Sequence, residues 1–473
     1  MKLTHEFIFN STGAKCLSHA EYEFKTIGSD TRKDLSALLF IALKGEQFDA
    51  HQFLQKAVDA GAKGVMVHDE SVVTSEMLET VAVYVVPDTL RALQKMATAY
   101  RKKMKAKIIG ITGSNGKTTA KEFTSQILST KFKTHYSAGS FNNHWGVPFS
   151  LFEMNETHEI AVIEMGMNHS GEIAELVRIA LPDIVTCTMV GRAHIENFGR
   201  IEGIAAAKEE IYLTAKDNAI RLFSLDQTYT REMLARSEQL FPRSKKYTFS
   251  AHEPTADLFL KVIDILPSGL MIRGHIEQEE VEFLAPIFGP HNIINILAAA
   301  SIARAVGMSV EEIKDGIHQL KSSWGRNQFL RLKSGAQAIF DGYNANPDSM
   351  QALIQNSKLV SVQGQRIAVL GQMRELGDLS MRYHEELGEL VGKAQFDAVF
   401  FIGADGEAFQ KGLSKSHFKN PAIIDTDYSE ALGQQLSSML HSGDVVFLKA
   451  SRGTRIERFL EPLEPYDFKF KTN

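Results

Sequence analysis

Ile108-Ile109-Gly110-Ile111-Thr112-Gly113-Ser114-Asn115-Gly116-Lys117-Thr118-Thr119 is an apolar run that breaks into a glycine-rich turn ending in Gly-Lys-Thr. Glycines let successive backbone N–H groups converge on an anion, and a helix beginning at the turn adds its positive N-terminus. Lys117 is spaced to reach terminal phosphates and the Thr118 hydroxyl to hold Mg²⁺. Counting back from Gly116, Ile111 stands where a P-loop usually has its first glycine, so Gly113 anchors the turn instead. Gly113, Ser114, Asn115, Gly116, Lys117, Thr118 and Thr119 together suit anion binding and add nothing to helix propensity, which disfavours an ordinary strand-to-helix turn.

A nucleoside triphosphate also needs carboxylates for its Mg²⁺ and cations for the phosphoryl group in transfer. Glu164 ends the apolar run 160–163, which places a carboxylate at a strand's C-terminal edge, where open α/β sheets bind ligands; a solvated strand-end acid is the alternative. His194 follows the run 184–189 and falls on the same edge, although a lone histidine is more often structural. Lys208 sits in Ala205-Ala206-Ala207-Lys208-Glu209-Glu210-Ile211, where composition alone predicts an exposed helix lysine.

These residues need a large scaffold. A chain of 473 residues exceeds the size of about 250 to 300 residues at which single cores stop growing, so two or three domains are expected. Strand-like runs at 37–43, 64–67 and 81–86 alternate with helical patterns at 53–60 and 90–100, predicting a small α/β unit over 1–101. Arg101, Lys102, Lys103, Lys105 and Lys107 then read as a solvated linker. Strands at 108–112, 160–163, 184–189 and 220–225, mostly separated by helices, predict a largely parallel sheet in a central domain over 102–323, with a β-rich excursion at 258–288. Over 324–473 the rhythm restarts, with strands at 338–340, 367–370, 398–402, 422–424 and 445–449 and helices at 348–359, 382–394, 429–440 and 455–460. The fold class is therefore α/β in three domains, with a central P-loop sheet and a C-terminal Rossmann-like domain. Segment 370–373 lacks Gly-x-Gly-x-x-Gly spacing, which argues against a dinucleotide site there.

Hydrophobic content of 44%, charged content of 23% and a net charge of -5 describe a globular protein with no pull toward nucleic acid or membrane. Cys16 and Cys187 read as buried thiols in a reducing compartment. The N-terminus has no signal-peptide profile and no apolar run approaches about 18 residues, so a cytoplasmic location is expected.

In order along the chain, Gly110 to Thr119, Asn142-Asn143-His144-Trp145-Gly146-Val147-Pro148, Glu164-Met165-Gly166, Ala193-His194, Lys208-Glu209-Glu210-Ile211, Gly289-Pro290-His291-Asn292-Ile293-Ile294-Asn295 and Gly325-Arg326 resemble the motifs of the Mur ligases. These are the ATP-dependent amide-bond-forming enzymes of peptidoglycan synthesis. The resemblance implies that ATP is used with two Mg²⁺ ions. Thr118 and Glu164 would hold one ion; Glu164 and His194 would reach the second, with Lys208 as a carbamate supplying further oxygen ligands. It also implies that Asn292 and Asn295 contact adenosine, Arg326 the γ-phosphate from a hinge, and Asp341 the ribose. Locally, Asn292 also reads as a helix N-cap, Arg326 as linker and Asp341 as a strand-end turn residue. Ser29, Asp30, Arg32, Lys44 and Gly45 fall where the family binds uridine and diphosphate, and an arginine with a lysine suits that anion. Asn142 and Asn143 would face the muramoyl portion.

Three segments narrow the resemblance to the branch acting on UDP-N-acetylmuramoyl-tripeptide and D-alanyl-D-alanine, with a monomer expected. They are 41–53, 341–350 (Asp341-Gly342-Tyr343-Asn344-Ala345-Asn346-Pro347-Asp348-Ser349-Met350) and 370–377 (Leu370-Gly371-Gln372-Met373-Arg374-Glu375-Leu376-Gly377). Thr31, Gln372 and Glu209 depart from the family's commoner residues. A relative that adds a diamino acid, a folylpolyglutamate-type enzyme, and a nucleotide-binding scaffold without activity are the alternatives. The third domain lacks the Asp-Asn-Pro-Arg segment of the diamino-acid branch, and a folate enzyme has no need of a uridine-type first domain. No residue stands out as general base for the incoming amine.

Overall fold

Strands Ile160–Glu164, Ile184–Cys187, Ala398–Ile402 and Val445–Lys449 are buried at every position, as parallel strands covered by helices on both faces must be. The computed structural model describes every residue except 1–2, 20, 46–47, 267–268, 323, 361, 467 and 470–473. Glu46 and Gln47 of the 41–53 segment, and Ser323 at the second expected boundary, lie outside the described residues.

Three sheets follow one another along the chain. The first has five strands, in the order Lys15–Ser18, Ala82–Val85, Gly64–Val67, Leu39–Ile41 and Ile27–Gly28, antiparallel only at the Lys15–Ser18 edge. The second has nine strands. Its parallel part runs Lys246–Ser250, Ile220–Ser224, Ile184–Cys187, Lys107–Thr112, Ile160–Glu164 and Thr134–Tyr136. The antiparallel meander Leu258–Leu266, Gly269–Ile276 and Glu279–Ala285 extends it, as the β-rich excursion predicted. The third has six strands, with the antiparallel edge Gln328–Arg331 beside Gln337–Asp341.

Register decides what meets at the sheet edges. Ile111 lies opposite Glu164 and Thr112 opposite Cys187, so the glycine-rich turn, Glu164 and the loop after Cys187 leave the second sheet at one edge. Asp341 lies opposite Lys449 in the third sheet, and Leu370 does too, which gathers three loops at its C-terminal edge.

Several expectations change. The helix Thr89–Lys103 carries Arg101 into the interior, at 6% exposure. Its guanidinium donates to Asp183 Oδ2 at 2.8 Å and to the Ala180 carbonyl at 3.0 Å, which makes burial of the charge tolerable. Only the lysines of that cluster are solvated. The helical pattern at 455–460 is the 3₁₀ stretch Ile456–Leu463, which contains Pro462 and starts from a left-handed Arg455. The helix Gly406–Lys415 and the strand Gln328–Arg331 were not foreseen. Cys187 is buried but Cys16 only half-buried, and neither forms a disulfide. Among the described residues no helix is long and apolar enough to cross a membrane.

Candidate functional site

The glycine-rich turn joins strand Lys107–Thr112 to helix Lys117–Ser129 with Gly116 at φ 81° as the N-cap. Two glycines are obligatory here. A Cβ on Gly113 (φ 148°) would lie 2.0 Å from Thr188 Oγ1, and one on Gly116 would lie 2.3 Å from Asn295 Oδ1. The loop after Cys187 braces the turn. Thr188 Oγ1 donates to the Asn115 carbonyl at 2.6 Å, Ser114 N–H to the Met189 carbonyl at 2.8 Å, and Gly191 N–H to Ser114 Oγ at 2.8 Å. Lys117 Nζ rests on the Gly113 carbonyl at 2.7 Å, inside the concavity. Burial lowers its pKa, which Glu164 opposes and Arg326 reinforces.

Glu164 is 1% exposed, and its Oε1 accepts from Asn142 Nδ2 at 2.8 Å. Its Oε2 is buried without a hydrogen-bond partner. The Asn142 amide fits because Gly166 has no side chain; a Cβ there would lie 2.7 Å from Asn142 Cγ. Asn143 Oδ1 accepts from Gly146 N–H at 2.8 Å, at the start of helix Gly146–Phe152. Arg326 stacks 4.4 Å from the Tyr343 ring centre and donates to Thr118 Oγ1 at 3.3 Å, so the hinge arginine does reach the turn. Lys208, expected on an exposed helix face, is 1% exposed in helix Ile201–Thr214. Burial, with Lys117 nearby, lowers its pKa to about 7.

Beside the turn lies a cavity of about 270 Å³ walled by both the second and third domains. Asn115, Gly116, Thr119, Asn292, Asn295, Arg326, Asp341 and Lys449 line it. Asn292 precedes helix Ile293–Val306 but does not cap it through its side chain. Instead its Nδ2 donates to the Phe288 carbonyl at 2.7 Å and its Oδ1 accepts from Asn295 Nδ2 at 2.9 Å. Asn295 Oδ1 is left buried without a partner. Asp341 Oδ2 accepts from Lys449 Nζ at 2.5 Å, and Lys449 also donates to the Asn344 carbonyl at 2.7 Å. His291, between Asn327 and Asn356, is held neutral by burial, with its pKa pushed down to about 4.

The third domain is docked on the second. Asn115 and Asn346 exchange amide hydrogen bonds, with Asn346 Nδ2 to Asn115 Oδ1 at 2.7 Å. Arg192 Nη2 pairs with Asp348 Oδ1 at 2.6 Å, and Arg192 N–H donates to Asp348 Oδ2 at 2.7 Å. His194, with a left-handed backbone, has its Nδ1 3.1 Å from Glu375 Oε2. The neighbouring His194 imidazole, and beyond it Lys117, hold the Glu375 carboxyl below its ordinary range.

The first-domain residues form a separate group. Ser29 to Arg32 and Lys44-Gly45 follow the adjacent parallel strands Ile27–Gly28 and Leu39–Ile41, so they share an edge. Arg32 makes a fork to Asp30, Nε to Oδ1 and Nη2 to Oδ2, both 2.9 Å, with a side chain 84% exposed. That pairing lowers Asp30 to about 2. Lys44 Nζ lies 3.6 Å from Asp49 Oδ2, and Gly45 N–H donates to the Phe48 carbonyl.

Sequence reading gave no role to Lys449, His291, Arg192, Asn346, Asp348 or Glu375. Lys449 ends an apolar strand at a C-terminal edge, the same signal that singled out Glu164. Asn346 before Pro347 is a helix-start signature, and it caps Pro347–Ser357. Arg192 and Glu375 gain their roles only from domain docking, which local pattern does not encode.

A phosphate cradle in one domain, closed over by a cation and a lined cavity from the next, defines an enzyme that works on a nucleoside triphosphate between domains. Residues 111–303 match the family described as Mur ligase middle domain, and residues 325–452 the one described as Mur ligase, glutamate ligase domain. The UDP-N-acetylmuramoyl-tripeptide–D-alanyl-D-alanine ligase of Bacillus subtilis (strain 168) is 36% identical over 450 residues, covering 94% of this chain and 95% of that protein. A crystal structure of MurF from Acinetobacter baumannii superposes with a TM-score of 0.88 at 31% identity, over 98% of this chain and 99% of that one. MurF ligase from Thermotoga maritima in complex with ADP gives 0.79 at 28% identity, over 93% and 96%. The chain belongs to the Mur ligase family and is an ATP-dependent, amide-bond-forming ligase.

Proposed function

We propose that this enzyme joins D-alanyl-D-alanine to the terminal carboxylate of UDP-N-acetylmuramoyl-tripeptide, converting ATP to ADP and phosphate in peptidoglycan precursor synthesis. The observation that carries the reading is whole-length likeness to ligases of that specificity, with the braced cradle supplying the chemistry. A carboxylate is a poor acyl donor. Its oxygen attacks the γ-phosphorus, ADP departs, and the resulting acyl phosphate carries a good leaving group. The dipeptide amine adds to the carbonyl carbon, loses a proton, and the tetrahedral adduct expels phosphate.

In this reading Lys117 leaves the Gly113 carbonyl for the β and γ phosphates, while Gly113, Ser114, Asn115, Gly116 and Thr119 present the turn's backbone to them. Arg326 meets the γ-phosphate, Asp341 the ribose, and Asn292 with Asn295 the adenosine; the unpartnered Asn295 Oδ1 supports that last role. Ser29, Asp30, Arg32, Lys44 and Gly45 take the uridine diphosphate, and Asn142 with Asn143 the muramoyl portion. Thr118 and Glu164 fit a Mg²⁺ ion, because the orphaned Glu164 Oε2 needs a cation or donor. His194 and a carbamylated Lys208 would serve a second ion. A lysine amine with a pKa lowered to about 7 is roughly half in its free, nucleophilic form at neutral pH, and that form reacts with carbon dioxide. Bound there, the cations would neutralise charge on the phosphates. Among the described residues no three His, Cys, Asp or Glu side chains converge, so phosphate, hydroxyl and carbamate oxygens would complete these ligand sets. We also take the chain as a cytoplasmic monomer with domains 1–101, 102–323 and 324–473, a division into three supported by one sheet in each.

With ATP, Mg²⁺, UDP-tripeptide and D-alanyl-D-alanine, the purified protein is expected to form one pentapeptide per ADP. Phosphate release that ignores the dipeptide and yields no pentapeptide would overturn the proposal.

A further inference from the structure

The loop Gln372 to Gly377 carries residues toward the cradle that the mechanism above leaves without work. It is rigidly held from beneath. His384 Nε2, fully buried, accepts from Met373 N–H at 3.0 Å, while Gln372 Nε2 and Ser380 Oγ both donate to Asp405 Oδ2 at 2.5 Å. Ser451 Oγ accepts from Arg374 N–H at 3.0 Å. Gly377, left-handed at φ 52°, lies against Glu196 of the second domain, where a Cβ would come 3.1 Å from Glu196 Cβ. Glu375 is also left-handed, at φ 63°, a strained setting for a residue with a side chain, and that setting delivers its exposed carboxylate to within 3.1 Å of His194. Next to it, the exposed Arg374 guanidinium packs on Gly453, where a Cβ would lie 2.3 Å from Arg374 Cζ. Among the described residues no carboxylate pairs with that guanidinium.

The cations Lys117 and Arg326 suit phosphate and carboxylate, yet a ligase must also receive an amine, which arrives in water as an ammonium. We propose that Arg374 and Glu375 form the seat of a zwitterionic amine substrate, Glu375 taking its ammonium end beside His194 and Arg374 its carboxylate end. Two adjacent residues of opposite charge on a braced, strained loop match the two ends of one short molecule. The seat rests on the reading that the second substrate is an amino acid or dipeptide with a free carboxylate.

Arg374→Ala is expected to raise KM for D-alanyl-D-alanine by about 10- to 100-fold, the loss of a charge-assisted forked contact. KM for ATP and UDP-tripeptide should stay within about twofold, and Arg374→Lys should recover part of the loss. The decisive comparison uses D-alanyl-D-alanine amide, whose carboxylate is neutralised. Wild type should lose on the amide about what Arg374→Ala loses on the acid, and the variant should barely distinguish the two. Equal discrimination by wild type and variant would overturn Arg374's part. Glu375→Gln should likewise raise the dipeptide KM; an equal rise in the ATP KM would instead assign Glu375 to His194 alone. If wild type turns over a different zwitterionic amine, the proposed substrate falls, and the seat is tested with that amine and its amide.

Discussion

The second-domain cradle and the first-domain turns both hold residues suited to phosphate, and they are built in opposite ways. In the cradle the groups proposed to bind the anion are backbone N–H groups of a turn fixed by two glycines and by hydrogen bonds from the 188–191 loop. In the first domain they are side chains at a sheet edge, and the principal cation, Arg32, is exposed and folded back on Asp30. A backbone site is preorganised and intolerant of change; a side-chain site at the surface must first release its own partner. Substitutions in the two regions should therefore differ by orders of magnitude in effect.

The sharpest break falls in the cradle. Lys117→Ala removes the cation proposed to meet the transferring phosphoryl group, and kcat is expected to fall by about 10³-fold or more. The melting temperature should hardly move, since the amine's hydrogen bonds in the fold go only to carbonyls of its own turn, Gly113 at 2.7 Å and Ser114 at 3.5 Å. A variant retaining a tenth of wild-type turnover would remove the cradle from the mechanism. Next in size is the docking of the third domain. Asp348→Ala leaves Arg192 without its carboxylate across the interface, and the ATP KM should rise about tenfold. Small-angle scattering should show a more extended average shape. The first-domain turn gives a smaller effect. Arg32→Ala should raise KM for the UDP-tripeptide by about two- to fivefold and leave the ATP KM alone, because an exposed ion pair contributes about 1 kcal/mol or less.

Legibility follows the same division. The cradle was readable because glycine, lysine and threonine spacing encodes a backbone conformation, and Glu164 because an acid at the end of an apolar strand marks a sheet edge. Parallel strands at 160–163, 398–402 and 445–449 announced themselves through uninterrupted apolar runs. Burial of Lys208 and Arg101 was not readable, since each lies in a helix whose sequence looks solvent-facing until a second domain element or a carboxylate such as Asp183 covers it. Asn292 resembled a cap because Asn before a helix usually is one; its amide instead serves Phe288 and Asn295. The contacts Arg192–Asp348 and His194–Glu375 join residues about 150 or more apart in sequence, where no local period carries information.

The smallest effect expected is one of pH, and it separates the regions by window. Burial holds His291 neutral down to about 4, whereas the unfolded chain protonates near 6.5. Between those values the unfolded chain binds the extra proton, so stability falls as pH drops from about 6.5 to about 4. Asp30 is lowered to about 2, so its contribution is present above about 3.8 and is lost only as pH falls toward about 2. Melting curves of wild type and His291→Gln should converge as pH falls from 6.5 to 4, while Arg32→Ala should differ from wild type by the same margin throughout that range. A constant gap for His291→Gln would refute the assignment.

The central claim is that the cradle activates a carboxylate by phosphorylating it. UDP-tripeptide labelled with oxygen-18 in its terminal carboxylate tests this most directly. If the carboxylate oxygen attacks the γ-phosphorus, each phosphate released with pentapeptide formation should carry one labelled oxygen and the ADP none. Pentapeptide formed with unlabelled phosphate would contradict the account.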